Sequence, residues 1–492
     1  MILEKITKGM DFLNISGDTG CDISGLSYDS RKVTGGHLFV AVAGEHSDGH
    51  SFIGKAVQNG AVAVVYEKPG VYPGEDLTPG VTLIQVKDSR AALARAAHNF
   101  CGRPSESLQV IGITGTNGKT TTTYLIKSIL EGWGQKVGLI GTIQYMIGDA
   151  IYNATHTTPE APEFQALLHE MQAAGCGYVV TEVSSHALAQ KRVDGTVFRG
   201  AVFSNLTRDH LDFHKTMEDY FDAKKRLFTE LLAPGAASVI NSDDPWGRKL
   251  IGLLKGGIYT YGLEPGADLV ANDIHDSFSG LKFSLTVHGR KYDLVSSLMG
   301  LPNVYNILSA VGAALSLGVP REVILEGIRK AAPARGRFEK VDAGQEFLAI
   351  VDYAHTEDAL ERLIYTARGL SRGRIITVFG CGGDRDRGKR PKMGAIATRL
   401  SDFVIMTSDN PRSEKPEEII KEIEEGAVRR NYLVEPDRKE AIKRAVLMAG
   451  KDDVVLIAGK GHETYQEILG ERPRFSDREV LEEAIKRLIN NI

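Results

Sequence analysis

Lys119 and Thr120 close a run of three glycines, Gly112, Gly115 and Gly118, spaced three residues apart. The run, Gly-x-x-Gly-x-x-Gly-Lys-Thr-Thr, joins a β-branched stretch that reads as a buried strand to a helical pattern from Thr121 to Leu130. Glycine lets backbone N–H groups approach an anion closely, and a helix N-terminus adds partial positive charge. A lysine then supplies a point charge, and a threonine hydroxyl suits Mg²⁺. The expected chemistry is nucleotide binding by the stretch containing Gly112, Thr114, Gly115, Thr116, Asn117, Gly118, Lys119, Thr120 and Thr121. The spacing is not that of a strict P-loop, because Ile113 stands five before Gly118 where that motif needs glycine. The alternative is a glycine-rich turn without a ligand.

Other stretches are ambiguous taken alone. Val179 to Glu182 reads as a strand ending in a carboxylate, followed by Ser184-Ser185-His186. There is no Gly-x-Ser-x-Gly elbow to make that a hydrolase. A carboxylate at a strand end beside a phosphate loop more simply shares Mg²⁺ with Thr120. His210 and His214 have a zinc-like spacing but lack the glutamate of a zincin. Tyr220 to Phe228 reads as a charged amphipathic helix. Ser27 to Arg31 and Gly44 to His50 read as solvated loops, and Asp409-Asn410-Pro411-Arg412 as a turn.

The elements that must hold these residues form an α/β chain. At 492 residues it is too long for one ordinary domain, and 42% apolar with 25% charged residues is the balance of a globular protein. A formal charge of −4 disfavours a nucleic-acid coat. The four cysteines are scattered, with no CxxC pair, which fits a reducing cytosol; Cys381 reads as a small loop residue. The N-terminus lacks signal-peptide order, and no apolar run is long enough to span a bilayer.

Three domains are expected: 1–105, 106–335 and 336–492, with Gly/Pro punctuation near Cys101–Pro104 and Ala331–Gly336. In the first, Val40–Val42 and Ala61–Val65 read as strands around a helix from Phe52 to Asn59, with a second helix ending near Cys101. In the second, strands at 137–140, 178–183, 200–204 and 237–240 alternate with helices such as Glu163–Ala174 and Tyr220–Leu232. That order predicts a parallel sheet with ligands at the strands' carboxyl ends. Leu269 to Leu298 reads as a small antiparallel insertion or edge. In the third, 348–353, 374–379, 403–407 and 454–457 read as strands of another α/β unit.

Together the motifs resemble the Mur ligases over the whole chain: GITGTNGKTTT, HTTPE, EVSSHAL, FSNLTRDHLDFH, AKKRLF, NVYN, GRFE, DYAHTEDAL, GCGGDRDRGKRPKMG, SDNPRSEKP and GKGHETYQ occur in the family's order. The resemblance implies a central ATPase domain between an N-terminal UDP-binding α/β domain and a C-terminal Rossmann-like domain. It gives Lys119 the β- and γ-phosphates, and Thr120 and Glu182 one Mg²⁺. A second Mg²⁺ falls to His210 and to Lys224 as a carbamate. CO₂ would convert a repelling cation into a carboxylate-like ligand. Asn303 and Asn306 fall on the adenine-contacting positions; Arg337, Asp352 and His355 fall toward phosphate and ribose.

For the acceptor, UDP-N-acetylmuramoyl-L-alanyl-D-glutamate, the resemblance implies Ser30 and the His46–His50 loop, with Thr157, Thr158, Ser184, Gln190 and Arg192. For the amino acid it implies Arg390, Asp409, Asn410, Pro411, Arg412, Gly459 and Glu463. Asp-Asn-Pro-Arg is the form of members that add meso-diaminopimelate. That amino acid differs from lysine by a second carboxylate, for which Arg412 offers a bidentate partner. Glu463 suits the distal ammonium. Two departures, Glu357 and Pro302, replace a usual proline and a usual aromatic.

The expected protein is a cytoplasmic, monomeric, ATP-dependent ligase that passes through an acyl phosphate and closes on its substrates. Alternatives are lysine or another amino acid as substrate, a folylpolyglutamate synthetase, or a nucleotide-gated binding protein.

Overall fold

Continuous apolar runs form the parallel strands, and alternating runs form the antiparallel ones. Ile375–Phe379 and Val454–Ala458 are buried at every position, whereas Gly280–Val287 alternates. The computed structural model describes residues 1–44, 47–68 and 80–490. Its chain divides into two units: Met1–Asp268 with Ser309–Ile324, and Leu269–Leu308 with Leu325–Ile492.

The first unit holds two sheets. One runs Phe12–Ser16, Thr82–Val86, Ala61–Tyr66, His37–Val40, Gly25–Ser27, and is parallel except for its first pair. Helix Ser89–Phe100, capped by Asp88, supplies Leu93, Ala96 and Ala97 to its core. The other sheet runs Ile258–Gly262, Leu232–Asn241, Phe198–Phe203, Gln109–Thr114, Tyr178–Glu182, Val137–Ile140, Gln144–Ile147, Ala150–Asn153. Its central strand Gln109–Thr114 pairs in parallel with both neighbours. Thr114 and Glu182 therefore finish at the same edge, where an open α/β sheet presents its ligands.

The second unit has a six-stranded sheet: Glu339–Lys340, Leu348–Asp352, Val454–Ala458, Ile375–Phe379, Phe403–Met406, Tyr432–Val434, parallel after the first pair. Apolar clusters cover both faces. The antiparallel character expected for residues 269–298 is present as Leu269–Ser277, Gly280–Val287 and Arg290–Ser296.

Local differences have physical causes. The strand expected at Val40–Val42 is His37–Val40; Ala41 is apolar because it is buried just beyond the strand end. The helix expected to reach Leu232 is Met217–Thr229, started by the Thr216 cap, and Leu232 opens the next strand. Strands Gln144–Ile147 and Ala150–Asn153 escaped the sequence reading. The second is exposed throughout, so no core face imposes a pattern on it.

Candidate active site

Between strand Gln109–Thr114 and helix Lys119–Gly132, the loop is held by its own backbone and by the next strand's end. Thr116 N donates to Asn205 O (2.9 Å), Asn117 N to Asn205 Oδ1 (2.9 Å) and Ser204 Oγ to Asn117 O (2.6 Å). Gly115 has φ +148°, and a Cβ there would lie 1.9 Å from Ser204 Oγ, so only glycine fits. Gly118, with φ +87°, precedes the helix. Thr121 lies in the helix's first turn, and Lys119 Nζ rests on the carbonyls of Gly115 (2.9 Å) and Thr116 (2.8 Å).

Gly112 stands apart from the two loop glycines. It sits mid-strand between Thr181 and Ala201, and a Cβ there would meet the Phe198 ring at 2.8 Å. Its lack of a side chain serves packing. Thr114 is fully buried at the strand end.

Thr120 Oγ1 lies 3.0 Å from both oxygens of Glu182. The same carboxylate accepts from Thr142 N (2.8 Å) and Thr142 Oγ1 (3.1 Å). The expected metal pair is thus in contact, though separated by 62 residues in sequence. The Glu182 carbonyl accepts from Thr158 Oγ1 (2.8 Å), and Thr158 Oγ1 accepts from Ser184 N (3.1 Å). Thr157 Oγ1 contacts Thr142 Oγ1 at 3.0 Å. Arg192 donates to Thr158 O (3.1 Å) and through two nitrogens to Gln190 Oε1 (3.1 and 2.6 Å), and pairs with Glu160 at 3.0 Å. Ser184 Oγ caps the short helix Ser185–Ala189. Five residues expected to bind the acceptor therefore adjoin the phosphate loop through one glutamate.

In the first sheet's loops, Ser30 is buried in a 3₁₀ turn that Asp29 caps. Two residues earlier, Tyr28 Oη donates to Glu163 (3.1 Å), and burial followed by Glu163 raises its phenol above the usual range. His46 lies outside the described residues. His50 is committed to holding backbone, with Nδ1 on Asp48 (2.6 Å) and Nε2 accepting from Glu67 N (3.1 Å).

Lys224 is buried, and its Nζ donates to the carbonyl of Gly115 at 2.9 Å, the oxygen that also receives Lys119. Burial first, then the like charge of Lys119, holds its ammonium well below the ordinary lysine value. The Tyr220 ring lies 4.6 Å away. Beside it His186, His210 and His214 pack edge to face, with centroids 4.7 Å (His186–His210) and 5.5 Å (His186–His214) apart. Burial pushes His214 down to about 4, so it stays neutral. His210 is half exposed, at φ +53°. Among the described residues no three His, Cys, Asp or Glu side chains are placed to hold a metal together.

In the second unit, Asn306 Nδ2 donates to Asn303 Oδ1 (2.9 Å), and Asn303 Nδ2 to Met299 O (2.7 Å). Arg337 lies over the Tyr353 ring at 4.7 Å. Asp352 accepts from Phe338 N (2.6 Å) and Ala354 N (2.8 Å); desolvation, opposed by Arg337, raises its carboxyl. His355 is exposed, with Nδ1 donating to Tyr353 O (2.9 Å). A Cβ on Gly336 would lie 2.1 Å from His462 N, so the Gly-Arg-Phe segment packs backbone to backbone on Gly461-His462.

The expected amino-acid residues converge in this unit. Asn410 Nδ2 donates to Glu463 Oε2 (2.8 Å). Asp409 packs so closely on Gly459 that a Cβ there would lie 2.5 Å from Oδ2. Arg412, at φ +53° after Pro411, donates to Gly383 O (2.7 Å) and pairs with Glu467 (3.3 Å). Arg390 is fully buried, its guanidinium held by Glu414 (2.8 Å) and Glu422 (2.8 Å). Its observed contacts are those of a brace. Lys460 was overlooked inside the GKGHETYQ motif. Fully buried, it donates to Asn410 Oδ1 (2.8 Å) and Glu463 Oε2 (2.7 Å), and it ties the two loops together. Its signal was an ammonium three residues before a glutamate in a glycine-rich turn.

Three family profiles match the chain in order: Mur ligase family, catalytic domain over residues 22–101; Mur ligase middle domain over 113–314; and Mur ligase, glutamate ligase domain over 336–461. The UDP-N-acetylmuramoyl-L-alanyl-D-glutamate--2,6-diaminopimelate ligase of Caldanaerobacter subterraneus is 46% identical over 490 residues, 99% of each chain. A Clostridium acetobutylicum protein of the same name, numbered 1, is 46% identical over 491 residues, 99% of this chain and 100% of its own. A solved structure of a ligase of that name is similar at a TM-score of 0.72 and 34% identity, covering 99% of both chains.

Proposed function

The chain belongs to the Mur ligase family, and on that footing we propose that it joins meso-2,6-diaminopimelate to UDP-N-acetylmuramoyl-L-alanyl-D-glutamate at the expense of ATP, in the cytoplasm. The domain limits 1–105, 106–335 and 336–492 go with this reading. A carboxylate is a poor acylating agent at neutral pH. The D-Glu γ-carboxylate therefore attacks the γ-phosphorus of ATP, ADP leaves, and an acyl phosphate forms. The amine at the L-centre of diaminopimelate attacks the acyl carbon, loses a proton, and expels phosphate.

The chain's own groups divide this work. Loop N–H groups and Lys119 bind and neutralise the triphosphate. Thr157, Thr158 and Arg192 orient the acceptor. Arg412 and Glu463 fix the two ends of the amino acid. Thr120 and Glu182 are adjacent oxygen donors and would hold one Mg²⁺. Lys224, whose burial disfavours the ammonium form, is suited to carbamylation and with His210 would hold a second. When bound, Mg²⁺ supplies charge neutralisation at the transferring phosphoryl group.

One observation carries the reading: Glu182 bonds Thr120 through its carboxylate and Thr158 through its carbonyl, linking phosphate loop to acceptor residues. The test is a mass spectrum of the product formed from UDP-dipeptide, ATP and Mg²⁺ with meso-diaminopimelate or L-lysine. We expect the diaminopimelate amide, with ADP and phosphate in equal amounts. A preference for lysine, or phosphate release that needs no amino acid, would overturn it.

A further inference from the structure

The largest fully buried cation near the amino-acid loops, other than Arg390, is Arg438, which lies outside the motifs quoted above. Its side chain is 0% exposed, as is that of its partner Asp477. Nε and Nη2 bond the two carboxylate oxygens at 2.7 Å each, a fork-to-fork pair. Two further bonds reach the backbone. Nη1 donates to Ser408 O (3.2 Å), and Nη2 donates to Ala458 O (2.9 Å).

Those two carbonyls belong to the residues immediately before Asp409 and Gly459. They stand where strands Phe403–Met406 and Val454–Ala458 give way to the two loops that carry Asn410, Arg412 and Glu463. We propose that Arg438 is a positioning residue for the amino-acid site, setting the spacing of its two loops from beneath; this rests on the function proposed above. The sequence orients it. Asp437 caps helix Arg438–Met448 by accepting from Lys439 N (2.8 Å) and Glu440 N (3.2 Å), and Arg438, its first residue, is enclosed. Asp477 is likewise the first residue of helix Asp477–Asn490. A lysine could not copy the arrangement, since one ammonium lacks the planar set of donors that serves two carboxylate oxygens and two carbonyls at once.

A buried ion pair can also be purely a packing unit, and its replacement by apolar residues of similar volume is often neutral or stabilising. That separates the two roles. The variant Arg438→Met with Asp477→Leu is measured for melting temperature, for KM of meso-diaminopimelate and of ATP, and for amide hydrogen exchange over 408–412 and 459–463. With melting near wild type, the proposal expects the amino-acid KM to rise about tenfold or more, the size of losing bonds to a charged donor. The ATP KM should stay within about twofold, and exchange in both segments should quicken about tenfold. An equally stable variant with unchanged amino-acid KM and exchange overturns it. Should the double variant fail to fold, Arg438→Lys is read the same way. If the wild-type protein ligates no diaminopimelate, the functional reading fails, while exchange at the two segments still decides whether Arg438 holds them.

Discussion

The loop proposed to hold phosphates and the loops proposed to hold the amino acid each sit at the carboxyl ends of parallel strands, yet they are held by different means. Around Thr120, the donors are neutral hydroxyls and backbone N–H groups: Thr120 and Thr142 to the Glu182 carboxylate, Ser204 to Asn117, Thr116 N to Asn205. Around Asn410, they run through buried charges: Arg390 to Glu414 and Glu422, Arg438 to Asp477, Lys460 to Glu463. A site for phosphates gains from donors with no fixed counter-ion, since its ligand brings the negative charge. A site for a zwitterion must present both signs without letting them collapse on each other, and anchored charges do that.

The comparison can be broken most forcefully at Lys224. Lys224→Ala should lower kcat on the order of a thousandfold, the scale of losing a group that stabilises transition-state charge. A short added carboxylate should restore part of it in steady-state assays. Next come two glycines that look alike in sequence. Gly115→Ala, at positive φ and 1.9 Å from Ser204 Oγ, should cost on the order of a hundredfold in ATP affinity by calorimetry. Gly112→Ala should instead destabilise by about 1–3 kcal/mol through overpacking on Phe198, with ATP affinity retained. Equal loss of ATP affinity in both would return Gly112 to the phosphate site.

On the charged side, Arg412→Lys should raise the amino-acid KM by about tenfold to a hundredfold while leaving that of ATP nearly unchanged. Equal shifts would make Arg412 a structural residue. The smallest effect is set by acid. The Arg390 hydrogen bonds hold the Glu414 carboxyl down to about 2, against an unperturbed 4.5. Because its folded value is depressed, the stability from this pair is present above pH 4.5 and is lost as pH falls toward 2. Exchange in helix Lys389–Leu400 should rise across that window, and Glu414→Gln should shrink the step, leaving the part that Glu422 contributes.

What could be read from the sequence follows the same division. The phosphate loop is local, so strand, glycines and Lys-Thr spell it out within twelve residues. Thr120 and Glu182 come together through parallel strand order, which alternating strands and helices forecast. Arg438 and Asp477 lie 39 residues apart, and nothing near either names the other. Arg390 was legible as a motif position, but Glu414 and Glu422 as its partners were not. Gly112 could not be told from the loop glycines, because a glycine that permits packing on Phe198 and one that approaches an anion look identical in a string.

Cys381 lies between Gly380 and Gly382 on the loop beside Arg412, buried, with its sulfur 3.6 Å from that of Met393. Burial pushes its thiol up to about 12. At neutral pH its thiolate fraction is on the order of one in a hundred thousand. Alkylating agents and peroxides should therefore pass this loop by, so a reporter cysteine engineered elsewhere on the surface could be labelled without touching it.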